Sequence, residues 1–403
     1  MKLTNENSRK ARLIRKLTKN RITHDGLNTL MTIATSDDLK SITQSVFDMD
    51  EATLLERSAV EGATRWLNSI KNDRRKALYV KKIQYRPSNE LKKVVAEGDS
   101  WFNYPLILTD ILDWISMDKN TAVFSLASAS DWLVNILASR EYVNGLSVHQ
   151  PDFFLMSGGG NDVGGMSRMA LMVTHKVNET PELEYSAWAQ HLIKNAHEKP
   201  YRMSDDPSPD TRKPTEERWN SAMGYLSKDF FALMMLFRLQ YYSLFHSLLV
   251  DGKEKFPNLK IITQGYDFLV PSDNKGWGVN PLKWYIPVLR WIGHGWWLKK
   301  PLIFKGLSGE ELQLDILYAC MYFFNEMMIE LEEKFMEINP TTKGRLFHID
   351  SRGLVQPNEW TDEIHPQPHK FRTVAQTYLD CIHNRPHPSD YKHVYRSINR
   401  QKP

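Results

Sequence analysis

The most informative stretch of the chain is Val94-Val95-Ala96-Glu97-Gly98-Asp99-Ser100-Trp101, in which an apolar run ends in a Gly-Asp-Ser turn. A helical pattern from Leu106 to Ile115 follows the turn. A strand, a tight turn and a helix in this order hold the Ser100 hydroxyl at the carboxyl end of a β-strand, beside the free N–H groups that begin a helix. Because the tripeptide alone is common, its meaning depends on the residues downstream.

Two further blocks follow. The apolar run Phe153 to Ser157 leads into Gly158-Gly159-Gly160-Asn161-Asp162, and Trp360-Thr361-Asp362-Glu363-Ile364-His365-Pro366 precedes the last amphipathic pattern. By the order and spacing of the three blocks, the chain resembles the SGNH, or GDSL-type, serine hydrolases over about residues 92 to 385. The resemblance leaves the first 90 residues unexplained.

The resemblance implies a catalytic triad of Ser100, Asp362 and His365. The residue types suit this chemistry, because a serine hydroxyl is a poor nucleophile until a neighbouring base takes its proton. Histidine is the usual base in such chemistry, so His365 can accept that proton and later return it to a leaving alcohol. With three residues of spacing, one loop can carry both the base and the Asp362 carboxylate that orients it.

The resemblance also assigns an oxyanion hole, the set of N–H donors that stabilises the tetrahedral intermediate. Its members here are the backbone N–H groups of Ser100 and Ser130 and the side-chain amide of Asn161. At position 130 the related enzymes have glycine, so we expect the β-carbon of Ser130 to narrow or reshape the pocket. Four residues support the turns around these groups: Gly98, Asp99, Gly159 and Gly160.

Other roles compete for some of these side chains. Asp99 suits a structural hydrogen bond within its own turn, and Asp350, at the end of a predicted strand, is an alternative acid for the triad. Glu363, His365 and His369 lie at a spacing that would bind zinc on a helix, but Pro366 and Pro368 exclude a regular helix there. We therefore expect no metal and no cofactor.

Strand and helix patterns alternate from residue 92 onward. This alternation predicts an α/β fold with three α/β/α layers, a mostly parallel five-stranded sheet and an N-terminal helical extension. The predicted strands are Lys92–Glu97, Ala122–Leu126, Asp152–Ser157, Leu259–Thr263 and Leu346–Asp350. The predicted helices are Leu106–Ile115, Trp132–Ala138, Lys228–Leu249, Gly309–Ile338 and Phe371–Ile382.

The chain divides into a helical, basic extension (1–90), a hydrolase-like domain (91–390) and a C-terminal tail (391–403). Within the domain, the polar run 177–225 and the Trp-rich run 274–304 read as insertions. Basic residues between positions 9 and 21 suit either a solvated helix or a contact with an anionic surface. No aromatic residue interleaves them, so we expect no nucleic-acid partner.

Composition limits the class of protein and its cellular location. The chain has 403 residues and a net charge of +4, which is ordinary for one large α/β domain with additions. Its two cysteines, Cys320 and Cys381, lie in apolar contexts that favour buried thiols over a disulfide. The sequence shows neither a secretory signal nor a membrane span, so we expect a cytoplasmic protein.

These observations predict a serine ester hydrolase of the carboxylesterase or lipase kind, acting on a small-molecule, lipid or carbohydrate ester. A polysaccharide O-acetyl esterase is the alternative within that chemistry, and a binding or scaffold protein on a retained hydrolase fold is the alternative outside it. The Trp-rich run suits an insertion packed on the core, an apolar wall over the serine, or a platform for a sugar ring.

Overall fold

The computed structural model describes residues 8–13, 57–87, 90–104, 109–129, 131–165, 168–175, 214–272, 297–385 and 395–396. Several predictions fall outside these ranges: Ser130, most of the basic run 9–21, most of the polar insertion, and the Trp-rich run up to residue 296.

Six strands form a single sheet in the order β2-β1-β3-β4-β5-β6. The first five are parallel, and the short β6 pairs antiparallel with β5 at one edge. Order 2-1-3-4-5 is that of flavodoxin-like doubly wound folds, which bind ligands at the carboxyl ends of the strands. The strands are β1 Lys92–Gly98, β2 Thr121–Ser125, β3 Phe153–Ser157, β4 Lys260–Gln264, β5 Leu346–Asp350 and β6 Tyr395–Arg396.

Helices flank the sheet and complete three layers. The second helix packs against the last, while the eighth packs against the third and the tenth. The predicted three-layer α/β/α fold with a mostly parallel sheet is confirmed: the five predicted strands are parallel, and β6 adds a sixth at the edge. The helices are α1 Arg57–Tyr85, α2 Ile111–Met117, α3 Leu133–Ser139, α4 Glu141–His149, α5 Gly160–Gly164, α6 Met169–Met172, α7 Glu216–Tyr225, α8 Lys228–Phe245, α9 Lys299–Phe304, α10 Glu310–Ile338 and α11 Pro368–Ile382.

Helix α2 begins well after the start that its sequence pattern predicts. Helix α2 starts at Ile111 rather than Leu106, because Asp110 and Asp113 form a capping box. The Asp110 carboxylate accepts the Asp113 N–H at 3.1 Å, and the Asp113 carboxylate accepts the Asp110 N–H at 3.2 Å. This reciprocal pair satisfies two N–H groups that a helix start leaves unbonded, and so defines the boundary.

Part of the predicted polar insertion is regular structure. Residues 216–225 form α7, which Thr215 caps through its side chain and which packs against α10. Trp219 is buried against the rings of Tyr322 and Phe323. Because charged residues are abundant in this run, the sequence pattern did not reveal the apolar face of this helix.

The sheet register brings the first two sequence blocks together. Gly98 pairs with Ser157 across β1 and β3, and a β-carbon at Gly98 would lie 2.5 Å from the Ser157 carbonyl oxygen. Only glycine permits this close approach of two backbones. On the other side, the Ser128 N–H donates to the Gly98 carbonyl at 2.8 Å. The turns that follow β1, β2 and β3 are thus neighbours at the carboxyl ends of the strands.

Helix α1 carries two buried cations into the domain. Lys71 and Arg75 are 5% and 3% exposed, and both form ion pairs with Asp110 and Asp113 at 2.5–2.8 Å. Although burial acts to raise it, the charges of Arg75 and Lys71 hold the pKa of Asp113 below its ordinary value. Two cations facing two carboxylates balance the charge of this pocket, and the short contacts offset part of the desolvation cost.

The same two cations hold the segment that follows Ser100. Lys71 Nζ donates to the Tyr104 carbonyl at 2.9 Å, and an Arg75 guanidinium N–H donates to the Phe102 carbonyl at 2.8 Å. The Asp110 carboxylate accepts the Tyr104 N–H at 3.0 Å. A helix from the predicted extension therefore supports the serine turn directly.

Cys320 and Cys381 are buried and free, which confirms the prediction of two buried thiols. Within the described parts of the chain, no helix combines the length and apolar character needed to cross a membrane.

Replacing Arg75 with Met should lower the free energy of unfolding by about 3–5 kcal/mol, because it leaves two buried carboxylates facing one cation. Lys81→Met, which removes an exposed cation from the same helix, is the matched control and should change stability by less than about 0.5 kcal/mol. Urea unfolding followed by circular dichroism measures both. Equal stability of the two variants would contradict a structural role for this cluster.

Candidate active site

Ser100, His365 and Asp362 form a hydrogen-bonded chain at the carboxyl end of the sheet. His365 Nε2 lies 2.6 Å from Ser100 Oγ, and His365 Nδ1 lies 2.9 Å from both carboxylate oxygens of Asp362. All three residues are buried, with exposures of 5%, 1% and 7% in the same order. With Nδ1 donating to the carboxylate, Nε2 is left to accept the serine proton, as a general base requires.

The loop from Trp360 to Pro366 is shaped by its own hydrogen bonds. Its ends pair as an antiparallel bridge, and the Thr361 N–H donates to the His365 carbonyl at 2.7 Å. The Asp362 carboxylate accepts the backbone N–H groups of Ile364 and His365 at 3.0 and 2.9 Å. Asp362 therefore folds the loop and orients the imidazole with the same side chain, which explains the spacing of three residues.

Two aromatic residues after Ser100 bind this loop, and neither was predicted. The Tyr104 hydroxyl donates to Asp362 Oδ2 at 3.2 Å, and its ring lies edge-on to the His365 ring with centroids 4.5 Å apart. The Trp101 indole N–H donates to the Ile364 carbonyl at 3.0 Å. Their position just after Ser100 was the only available signal in the sequence, since aromatic residues are common in cores.

Asp99 is the centre of a buried network beneath the serine. Its carboxylate accepts the Trp101 N–H at 3.1 Å and the Ser157 hydroxyl at 2.9 Å, and it also accepts the hydroxyl of Tyr266. Burial raises the pKa of Asp99 while these donors oppose the rise. The expected hydrogen bond within its own turn is present, and the contacts extend to β3 and to the residues after β4.

Tyr266 was absent from the sequence interpretation. It lies two residues after β4, where ligand-binding residues of such sheets gather, so strand position could have singled it out. A β-carbon at Gly160 would lie 2.9 Å from the Tyr266 ring and 3.1 Å from Asp99. The third glycine of the Gly-Gly-Gly run therefore makes room for this network.

Two of the predicted oxyanion donors, Ser100 and Asn161, come shortly after β1 and β3, which are neighbours in the sheet. Among the described residues, none accepts a hydrogen bond from the Ser100 backbone N–H. Asn161 is 4% exposed, and its side-chain amide donates one hydrogen bond to the Asp131 carbonyl at 2.8 Å. An amide nitrogen carries two N–H groups, so a second donor remains on Asn161. Ser130 lies outside the described residues.

The backbone conformation at Gly159 explains why a glycine stands at this position. It caps α5 with a φ of 102°, a left-handed conformation that favours glycine. A β-carbon there would lie 2.9 Å from the Phe324 ring of α10. The turn therefore presses against the core and begins the short helix that carries Asn161.

The residues considered as an alternative triad acid or as metal ligands bind other groups. Asp350 forms an ion pair with Arg352, a fully buried cation that also binds Glu326. Glu363 accepts backbone N–H groups, and exposed His369 lies 3.3 Å from Glu359. Within the described ranges, no group of three or more His, Cys, Asp or Glu side chains is arranged to hold a metal ion.

Comparison with solved structures finds enzymes of low sequence identity. The chain is similar to a GDSL-like lipase from Parabacteroides merdae, with 11% identity, a TM-score of 0.31, and coverage of 74% of this chain and 99% of that chain. For an acetylxylan esterase from Geobacillus stearothermophilus, the identity is 10%, the TM-score 0.31 and the coverage 72% and 94%. For an extracellular lipase from Streptomyces rimosus, the identity is 12% and the TM-score 0.35, and the match covers 73% of this chain and 100% of that chain.

No protein-family model matches the chain, and no curated protein matches it in sequence. At TM-scores this low, the structural matches assign no activity to it.

Replacing Tyr104 with Phe should slow the reaction of Ser100 with a fluorophosphonate by about tenfold. A hydrogen bond to a charged group contributes about 1.5–3 kcal/mol, and the variant loses this bond to Asp362 while keeping the ring. Tyr242→Phe, which removes a hydroxyl from a half-buried ring on α8, is the control. Equal labelling rates for both variants and the parent would show that the Tyr104 hydroxyl does not help to orient Asp362.

Proposed function

We propose that this protein is a serine ester hydrolase in which Ser100, His365 and Asp362 act as nucleophile, base and orienting acid. The observation that carries the proposal is the 2.6 Å contact between His365 Nε2 and Ser100 Oγ, with the Asp362 carboxylate bound to the opposite ring nitrogen. Nucleophile, base and orienting group within hydrogen-bond reach are the signature of nucleophilic acyl transfer.

In the first half-reaction, Ser100 Oγ attacks the ester carbonyl carbon while its proton moves to His365 Nε2. The carbonyl π electrons move to oxygen and form a tetrahedral oxyanion. The oxyanion then re-forms the carbonyl, the bond to the alcohol oxygen breaks, and His365 Nε2 gives its proton to that oxygen. Proton transfer by a positioned base of this kind contributes about 10²–10⁴-fold in rate.

In the second half-reaction, His365 takes a proton from water as the water oxygen attacks the acyl-serine. The tetrahedral species collapses, the bond to Ser100 Oγ breaks, and the proton returns from Nε2 to that oxygen. The products are a carboxylic acid and the regenerated serine. Every proton passes through His365 Nε2, so the chemistry requires no cofactor.

The oxyanion hole in this proposal consists of the backbone N–H groups of Ser100 and Ser130 and the Asn161 amide. Two features support it: the Ser100 N–H has no acceptor among the described residues, and the Asn161 amide keeps one donor after binding the Asp131 carbonyl. A single donor of this kind is worth about 10²–10³-fold in turnover. The substrate class is a carboxylic ester, either of a lipid or small alcohol or of an acetylated carbohydrate.

The test is hydrolysis of p-nitrophenyl acetate by the parent and by Ser100→Ala. Because loss of the nucleophile removes the covalent route, kcat should fall at least about ten-thousand-fold. Ser139→Ala, which removes a hydroxyl near the end of α3, is the control and should retain parental turnover. An Ser100→Ala variant as fast as the parent would refute the mechanism. A parent without turnover would favour a binding or scaffold role.

A further inference from the structure

Glu363 lies between the two triad residues of the loop and has a different set of partners. Its carboxylate accepts four backbone N–H groups: those of Ser272 and Lys299 on Oε1, at 3.2 and 2.9 Å, and those of Trp297 and Leu298 on Oε2, at 3.0 and 3.1 Å. The residue is 3% exposed. Burial raises the pKa of Glu363 to about 7, and the four donors oppose that rise.

These contacts attach residues 297–299 to the loop that carries His365. Leu298, fully buried, packs against α5, since a β-carbon at Gly164 would lie 3.4 Å from its side chain. Trp297 is only half-buried, and its ring lies edge-on to the His365 ring with centroids 5.9 Å apart. Glu363 therefore determines where an aromatic ring stands beside the base.

The chemistry of the base indicates which part of the substrate lies next to the Trp297 ring. His365 Nε2 must reach both Ser100 Oγ and the oxygen of the leaving alcohol, because it carries the proton from one to the other. The alcohol portion of the ester therefore lies against the histidine. The oxyanion lies instead towards the Ser100 and Asn161 donors.

We propose that Trp297 determines specificity for the alcohol portion of the ester, and that Glu363 is the positioning residue that places it. This inference rests on the proposed hydrolase function. The favoured substrates are esters whose alcohol presents a flat apolar ring to the indole. A stacked or edge-on ring pair is worth about 0.5–1.5 kcal/mol, or about 2- to 13-fold in selectivity.

The experiment compares kcat/KM for benzyl acetate and ethyl acetate, which differ in the alcohol, and for p-nitrophenyl acetate and butyrate, which differ in the acyl chain. Each ratio is taken within one protein, so intrinsic ester reactivity cancels when proteins are compared. Trp297→Ala should lower the benzyl-to-ethyl ratio about 2- to 13-fold and leave the acetate-to-butyrate ratio unchanged. Trp297→Phe, which keeps a ring, should retain at least half of the parental benzyl-to-ethyl ratio.

Glu363→Gln should lower the same alcohol ratio, because an amide replaces one of the two acceptor oxygens with a donor that faces backbone N–H groups. Its fluorophosphonate labelling rate should stay within about threefold of the parent, because Asp362 still orients His365. Glu359→Gln changes a carboxylate of the preceding turn that binds Lys370, and is the matched control. It should leave both ratios unchanged.

An alcohol ratio unchanged by Trp297→Ala, or an acyl ratio that changes instead, would overturn the inference while leaving the hydrolase proposal intact. Parental selectivity in Glu363→Gln would overturn the positioning role alone. Failure of the parent to hydrolyse any of the four esters would overturn the proposed function and this inference with it. Because Trp297→Ala leaves the Glu363 contacts to the backbone in place, the test does not depend on the folding of the Glu363 variant.

Discussion

The hydrogen bond between His365 Nε2 and Ser100 Oγ joins residues 265 positions apart, and the candidate site depends on it. Each end is held by a separate constraint. The backbone contact between Gly98 and Ser157 fixes the serine turn on the sheet, while the Asp362 carboxylate folds the histidine loop. Hydrogen bonds from Trp101 and Tyr104 then join the two ends. In the proposed hydrolase this redundancy would keep the reacting atoms in place, since a displacement of about 1 Å can slow a reaction about a hundredfold.

The segment between these ends rests on buried charge. Lys71 and Arg75 of α1 bind backbone carbonyls of residues 104 and 102 and pair with Asp110 and Asp113. Such a cluster adds little net stability compared with an apolar core, but loss of one member leaves an uncompensated charge. It therefore ties the position of Tyr104, and through it Asp362, to a helix that the sequence interpretation assigned to an extension. The interpretation of 1–90 as an added region overlooked this role for residues 71 and 75.

The sheet and the proximity of Ser100, His365 and Asp362 could be predicted because both leave local signals. Buried parallel strands read as short apolar runs, and Gly98-Asp99-Ser100, Asn161 and Asp362 to His365 each follow such a run or close a tight loop. The supporting residues leave weaker signals. Tyr104 and Tyr266 come shortly after predicted strands, and Trp297 belongs to the predicted Trp-rich run. Only the folded chain shows that they reach the histidine and Asp99. Likewise, apolar periodicity predicted too early a start for α2, because the cap at Asp110 sets the first residue of the helix.

The proposed mechanism requires His365 to activate Ser100 for covalent chemistry. The most direct measurement is peptide mapping by mass spectrometry after a short exposure to a fluorophosphonate, on the parent and on His365→Ala. The parent should carry one adduct per chain, on Ser100, and His365→Ala should carry no adduct at the same time point. An adduct on a different residue, or equal labelling of Ser100 in the two proteins, would contradict it.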